Sequence, residues 1–270
     1  MMKTVLRGLF AFSALAGAVV LPAQSPNQPA SPAADQTTSQ AADLTADQVV
    51  ARHIEALGGK DAISQVKSMT MENSVQVMGN EAPNTILLVD GVGYKSETDF
   101  NGTKIIQCYT DKGGWQVNPM GGAPDPTPMS DDEYKIGKES ISVGGPLFDY
   151  AAKGAKVELV SKDADTYKVK LTTKDNVAFT YVFDAKTYYV KSMTTKGNMQ
   201  GQEVDLTTNY SDYRKTDTGF LVPYAMDIDF GGQFSLSIAV KKIELNKTID
   251  PAVFEMPKAP AAATPAKPAA

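Results

Sequence analysis

Cysteine, histidine and tryptophan each occur once in the 270 residues, as Cys108, His53 and Trp115. A single cysteine excludes an intramolecular disulfide framework, so the chain must fold without covalent staples. One histidine and one cysteine would leave a zinc or copper site dependent almost wholly on carboxylates. A Ser-His-Asp triad would have to use His53, and no Gly-x-Ser-x-Gly elbow accompanies it. No glycine-rich phosphate loop precedes a helix. Basic residues are also in deficit: 26 Lys and Arg face 31 Asp and Glu, a net charge of −5. That balance argues against nucleic acid and against docking on anionic head groups.

The ends have too few large apolar side chains, or too short a run of them, to be fold. Lys3 and Arg7 precede an apolar run over residues 8–21, with the small residue Ala23 after it. This is the layout of a secretory signal peptide, expected to be residues 1–23, and the run is short for a membrane span. An uncleaved anchor is the alternative. Taking Lys3 and Arg7 from the 26 basic residues leaves 24 against 31 acidic, a mature net of −7. With no cysteine near residue 23, the mature N-terminus cannot carry a diacylglyceryl thioether. Residues 24–43 and 258–270, rich in Ala, Pro, Gln, Ser and Thr, read as a disordered linker and tail. One domain is left, residues 44–257, ample for a single core. The expected address is periplasmic and the expected state a monomer.

What is abundant is alternation. In Tyr224–Phe230, Tyr224, Met226, Ile228 and Phe230 point one way and Ala225, Asp227 and Asp229 the other. Phe234–Val240, Tyr167–Leu171 and Phe179–Phe183 repeat the pattern, as half-buried antiparallel strands do. Earlier strands are predicted at residues 68–78, 85–96 and 103–109, and turns at 174–176, 184–186, 196–197 and 231–232. Thr45 and Gln48 form a capping-box pattern before a helix with Val49, Ile54 and Leu57 on its stripe, ended by Gly58-Gly59. Residues 61–66 suggest a second helical turn. Residues 118–128 hold four prolines and are predicted irregular. Ser130–Ile136, with acids in its first turn, and Pro146–Lys153 suggest short helices. A long loop of this kind is either functional or a plain connection between sheet halves.

Chemistry is hard to find. His53 adjoins an apolar stripe and reads as structural or surface; Cys108 reads as a buried thiol. Asp227 and Asp229 share one strand face, so a calcium site or a glycosidase-like pair is conceivable, against a simple solvated face. The apolar sheet face is either an ordinary sandwich core or a cavity for an acyl chain. Burying such a chain contributes about 0.8 kcal/mol per CH₂ with no catalytic group. No metal and no cofactor is expected.

Leu44–Ile63, Gly113–Pro119, Met129–Glu133, Gly145–Tyr150, Asp184–Val190, Gly201–Val204, Tyr210–Tyr213, Phe220–Tyr224 and Ile249–Pro257 follow one another in a telling order. Together they resemble bacterial outer membrane lipoprotein-sorting-like proteins, the lipoprotein localisation factor superfamily. The resemblance implies a mainly β (α+β) fold: an unclosed antiparallel β-barrel, or half-barrel, with helices covering its concave apolar face. It implies a non-enzymatic carrier of lipid or acylated lipoprotein cargo, with an inner-membrane release complex and an outer-membrane acceptor as partners. It also implies a buried arginine that locks the lid, for which the domain offers only Arg52 and Arg214. The expected cavity residues are Leu88, Ile106, Val117, Phe179, Tyr181, Met226, Ile228 and Leu236 on strands, with Val49, Ile54, Trp115, Leu147 and Phe148 on lid elements. The rivals are a sensory or scaffolding module that binds a protein partner and a secreted hydrolase using Asp227 and Asp229.

Overall fold

Local signals set the ends of the first elements. In the computed structural model, which describes residues 44–199 and 201–257, Thr45 caps α1 (Ala46–Ala56). Its Oγ1 accepts from the Gln48 amide (3.3 Å), while its own amide donates to Gln48 Oε1 (2.9 Å). Gly58, at φ 112°, turns the chain into α2 (Gly59–Ser64). A Cβ there would lie 2.5 Å from the Gly219 carbonyl oxygen, so both the conformation and the close approach require glycine.

Thirteen strands then form one antiparallel sheet. The first meander runs β1 (Ser68–Val77), β2 (Asn80–Val89), β3 (Gly93–Phe100), β4 (Thr103–Thr110), β5 (Gly113–Asn118) and β6 (Ala123–Pro128). The second runs β7 (Lys156–Lys162), β8 (Thr166–Thr172), β9 (Ala178–Asp184), β10 (Val190–Met199), β11 (Gln202–Lys215), β12 (Leu221–Phe230) and β13 (Ser235–Leu245). Each strand pairs with its sequence neighbour, and β1 pairs with β13, where the two meanders join. The edges β6 and β7 do not meet. The sheet is an unclosed half-barrel with a few helices, as expected. Asn101-Gly102 and Gly231-Gly232, with positive φ at both positions of each pair, make the tight hairpin turns that match strand twist.

Four local expectations are corrected. The predicted strand 85–96 is two strands, because Asp90-Gly91-Val92 turns the chain between β2 and β3. The proline-rich stretch is regular after all: a 3-10 turn (Pro119–Gly121) leads into β6. That strand lies at the sheet edge, and the Met129 amide donates to the Gly114 carbonyl of β5 at 2.9 Å. Alternation then sends the missing N–H positions of Pro124, Pro126 and Pro128 away from β5, the one place a strand tolerates them. Lys196-Gly197 lies inside β10, not at a turn. Gly197 leaves room for Leu206, whose Cδ1 would be 2.4 Å from an added Cβ. Residues 146–153 form turns and no helix.

Both sheet faces are partly covered. On one, Val49, Val50, Ile63 and Val66 of the helical segment pack with Val169, Leu171 and Phe183. On the other, the 3-10 turn Pro251–Phe254 docks Phe254 over Cys108 and Trp115. The Trp115 indole N–H donates to the Phe254 carbonyl at 2.8 Å, and the Cys108 thiol reaches the same oxygen at 3.3 Å. Burial pushes the thiol pKa up to about 11, so Cys108 is an inert core group. The leader and linker expected at 1–23 and 24–43, and the tail at 258–270, lie outside the described residues. Gly93 sits directly beneath the Phe254 ring, with an added Cβ only 2.6 Å from it. Gly93→Ala should therefore cost about 1–3 kcal/mol by overpacking, read as a lower midpoint in urea unfolding.

Candidate ligand cavity

The segment between β6 and β7 runs from one sheet edge to the other and roofs the apolar face. It opens with α3 (Asp131–Gly137), whose capping box pairs Ser130 with Glu133; the Ser130 amide donates to Glu133 Oε2 at 2.9 Å. A 3-10 turn (Lys138–Ile141) follows. The roof is pinned to the first meander by Tyr134 Oη donating to the Thr110 carbonyl (2.8 Å) and the Val143 amide donating to Asp90 Oδ1 (2.9 Å). Lys138 pairs with Asp175, fixing it to the second meander. Lys60 and Asp149 (2.7 Å) and Tyr150 and Asp47 tie it to the helices. Gly137 sits against the ring of Tyr109, where an added Cβ would overlap Cε1 at 2.0 Å.

Beneath this roof lies a cavity of about 470 Å³, within the range of small-molecule sites. Its walls are Met69, Met71, Ile86, Met193, Val222 and similar side chains, interrupted by tyrosine hydroxyls. Desolvation raises the pKa of Tyr94 and Tyr210 to about 12 and that of Tyr181 well above the ordinary value, so these walls are neutral. Glu139 and His53 are the ionisable exceptions. Burial lowers the His53 pKa to about 4, against the hydrogen bond between Nδ1 and the Tyr188 carbonyl (2.9 Å). At neutral pH the ring is uncharged, Nδ1 donates, and the ring edge meets Phe183 at 5.2 Å between centroids. The sequence reading left His53 structural or surface; it is buried and also lines the cavity.

Five of the expected cavity residues line this space: Leu88, Leu147, Phe179, Tyr181 and Met226. Ile228 and Leu236 pair with each other and share the face of Met226, but lie nearer the β12–β13 hairpin, outside the lining. Val49 and Ile54 are buried between α1 and the sheet, and Phe148 packs against that same core. Ile106, Trp115 and Val117 are corrections: they belong to the opposite face, under Phe254. Tyr94 pairs with Tyr109 on the cavity side, so alternation sends Cys108 and Ile106 outward, with their partners Trp115 and Val117. Trp115 is also a strand residue and no part of the roof.

Residues missed from the sequence include Tyr94, Met193, Tyr210 and Tyr213, all in strands. Their alternation with polar neighbours was a usable signal. Ile136 and Glu139, in the roof, had none. The implied arginine lock has no counterpart among the described residues: Arg52 is exposed and bonds Tyr188 Oη (2.9 Å), and Arg214 is forked onto Asp212 (2.9 and 2.6 Å) above the Tyr224 ring. Asp227 accepts from Ser237 Oγ (2.5 Å) and Asp229 from the Gly232 amide (2.9 Å), each one residue out of phase with the cavity-lining Met226 and its face-mate Ile228. Among the described residues no group of three or more His, Cys, Asp or Glu could hold a metal ion, and no helix is long and apolar enough to cross a membrane.

The depressed His53 pKa sets a pH dependence with a definite sign. Below the unfolded value of 6.5 the unfolded chain takes a proton that the folded chain refuses until about pH 4. Stability should be full above that window and fall through it by on the order of 3 kcal/mol. Glu139, its pKa raised by burial, acts in the opposite sense over part of the range. The check is urea unfolding across pH 7 to 4 for the native chain and His53→Gln. The variant should lose the downward component.

No family model and no curated protein matches the sequence. Solved structures do match by shape. A LolA superfamily protein from Nitrosomonas europaea aligns over 79% of this chain and 98% of its own, with a TM-score of 0.52 and 11% identity. A putative outer membrane lipoprotein-sorting protein domain from Vibrio parahaemolyticus aligns over 77% and 95%, at 0.49 and 10%. The MucA/MucB complex of Pseudomonas aeruginosa aligns over 74% and 99%, at 0.22 and 9%. The roofed, unclosed sheet described above thus shares its fold with that LolA superfamily protein from Nitrosomonas europaea.

Proposed function

We propose that this chain is a non-enzymatic carrier that takes the acyl chain of a lipid or lipoprotein into the cavity between its sheet and the 129–155 roof. The observation that carries the reading is a largely apolar, methionine- and tyrosine-lined space beneath a segment held by polar contacts at its rim. Apolar walls reward a methylene chain with about 0.8 kcal/mol per CH₂. Methionine adapts to chains of differing length and bend. The rim contacts are hydrogen bonds and ion pairs, which can exchange with water when the roof lifts, whereas Val143 and Leu147 hold it by apolar burial. The leader expected at residues 1–23 supports a periplasmic address, where such cargo needs shielding between two membranes. Transfer from a release complex to an acceptor, with the chain acting as a monomer, completes the reading.

The test is native mass spectrometry of the full mature chain purified without detergent, followed by organic extraction. A bound phospholipid or acylated peptide that disappears on extraction is the expected result. A mass unchanged after incubation with lipids and lipopeptides would overturn the carrier, and a co-purifying protein in its place would favour a partner-binding module. Site variants should be drawn from the half-buried wall. Phe179 is 3% exposed and part of the main core, so Phe179→Asp would chiefly unfold the protein. Met226→Asp should weaken displacement of a fluorescent acyl probe by about tenfold or more while changing stability by under about 1 kcal/mol.

A further inference from the structure

Two side chains of the roof carry opposite charges that no contact neutralises. Glu139 is half-buried on the cavity lining, and makes no hydrogen bond or ion-pair contact among the described residues. Lys153, also half-buried, donates to Ser142 Oγ and the Gly145 carbonyl, both at 2.9 Å; these are neutral acceptors, and the carboxylates of Glu139, Asp90 and Asp149 act on its charge without an ion-pair contact. Each acts electrostatically on the other without touching it. Burial shifts both toward neutrality, raising the Glu139 pKa and lowering that of Lys153. A separated pair of this kind costs stability in the empty protein, since two partly desolvated charges lack a direct partner of opposite charge.

Their position gives the pair a use. A second recess of about 380 Å³ adjoins the apolar cavity, and Glu139, Ser142 and Pro146 line both. Lys153 lines the second recess only, with Lys138, Lys174 and Asp111 as its other charged groups. Lys138 is already committed to Asp175. A lone cation beside Glu139 would be opposed by Lys153, and a lone anion beside Lys153 by Glu139. A head group carrying both charges satisfies both. Tyr181 adds a third group: its side chain is 94% buried (6% exposed), its hydroxyl makes no hydrogen bond among the described residues, and it lines the cavity. It is a buried donor available to an ester carbonyl of a lipid in the cavity.

We propose that the junction of the two recesses is a head-group site for a zwitterionic phospholipid, its ammonium at Glu139, its phosphate at Lys153 and its acyl chain in the apolar cavity. This rests on the carrier reading and adds a cargo class to it. The full chain should be titrated with lysophosphatidylethanolamine, lysophosphatidylglycerol and monoacylglycerol of one acyl length. The zwitterion should bind about tenfold tighter than either of the others, the order expected for a charge-assisted contact. Glu139→Gln should remove the preference over lysophosphatidylglycerol, and Lys153→Met should narrow the preference over monoacylglycerol, leaving the part due to the ammonium at Glu139. Monoacylglycerol itself should bind both variants as it binds the native chain, which separates head-group contacts from a loosened roof. Equal binding of all three ligands by the native chain would overturn the head-group site and leave the carrier standing. Binding of none would overturn both.

Discussion

The pairing of β1 with β13 is the constraint on which the rest depends. It joins two meanders whose other strands pair only with their sequence neighbours, so that β6 and β7 become the outermost strands of a thirteen-stranded sheet. A long antiparallel sheet twists and curls, and an unclosed one leaves its inner apolar face open to water. Among the described residues no further strand covers that face. The chain between the two edges covers it instead, since the same 129–155 segment must in any case travel from β6 to β7. The roof is thus a topological by-product put to use. Being anchored at both ends, it can part from the sheet only by releasing its polar contacts to Thr110, Asp90 and Asp175 and exposing the buried side chains of Val143 and Leu147.

Inside, the balance of polar and apolar groups is what distinguishes a container from a core. The helix–sheet contact made by Val49, Ile63, Leu171 and Phe183 is fully buried and filled. Met193, Met226 and Tyr213, by contrast, are only half-buried although they belong to the same sheet face. His53 stands at the border. Its ring is packed against Phe183 and hydrogen-bonded to a carbonyl, which fixes α1 against the second meander while presenting an uncharged surface to the cavity. Arg52, one residue earlier, stacks on Tyr188 from outside, so two neighbouring residues clamp the same loop from opposite sides.

Much of this architecture is legible in the chain itself. The period-two runs of the second meander, the Thr45 and Ser130 caps and the glycine turns are local signals, and local signals survive folding. Facing was legible where one side of a strand is plainly polar, as in β12. It was not in β4 and β5, where Ile105 and Ile106 are adjacent and both faces are covered, the outer one by Phe254 from the far end of the chain. Nothing local announces that a residue 146 positions later in sequence will bond to Cys108. The same holds for Glu139 and Lys153, ordinary surface residues in composition whose interest lies wholly in what the roof brings near them. The prolines of β6 misled for the opposite reason: they break most structures, and an edge strand is the exception.

Those prolines also give the sheet a direction. With Pro124, Pro126 and Pro128 presenting no N–H to the outside, β6 offers a newcomer acceptors but no alternating donors at those positions, and a ladder cannot be continued there. The other edge, β7, has no proline and carries Val160 half exposed. A sheet that can be extended on one side alone can meet another of its kind edge to edge once, but has no second edge from which a third could follow. Runaway stacking into fibres is therefore closed off by geometry, a useful property for a chain whose inner face is built to be greasy.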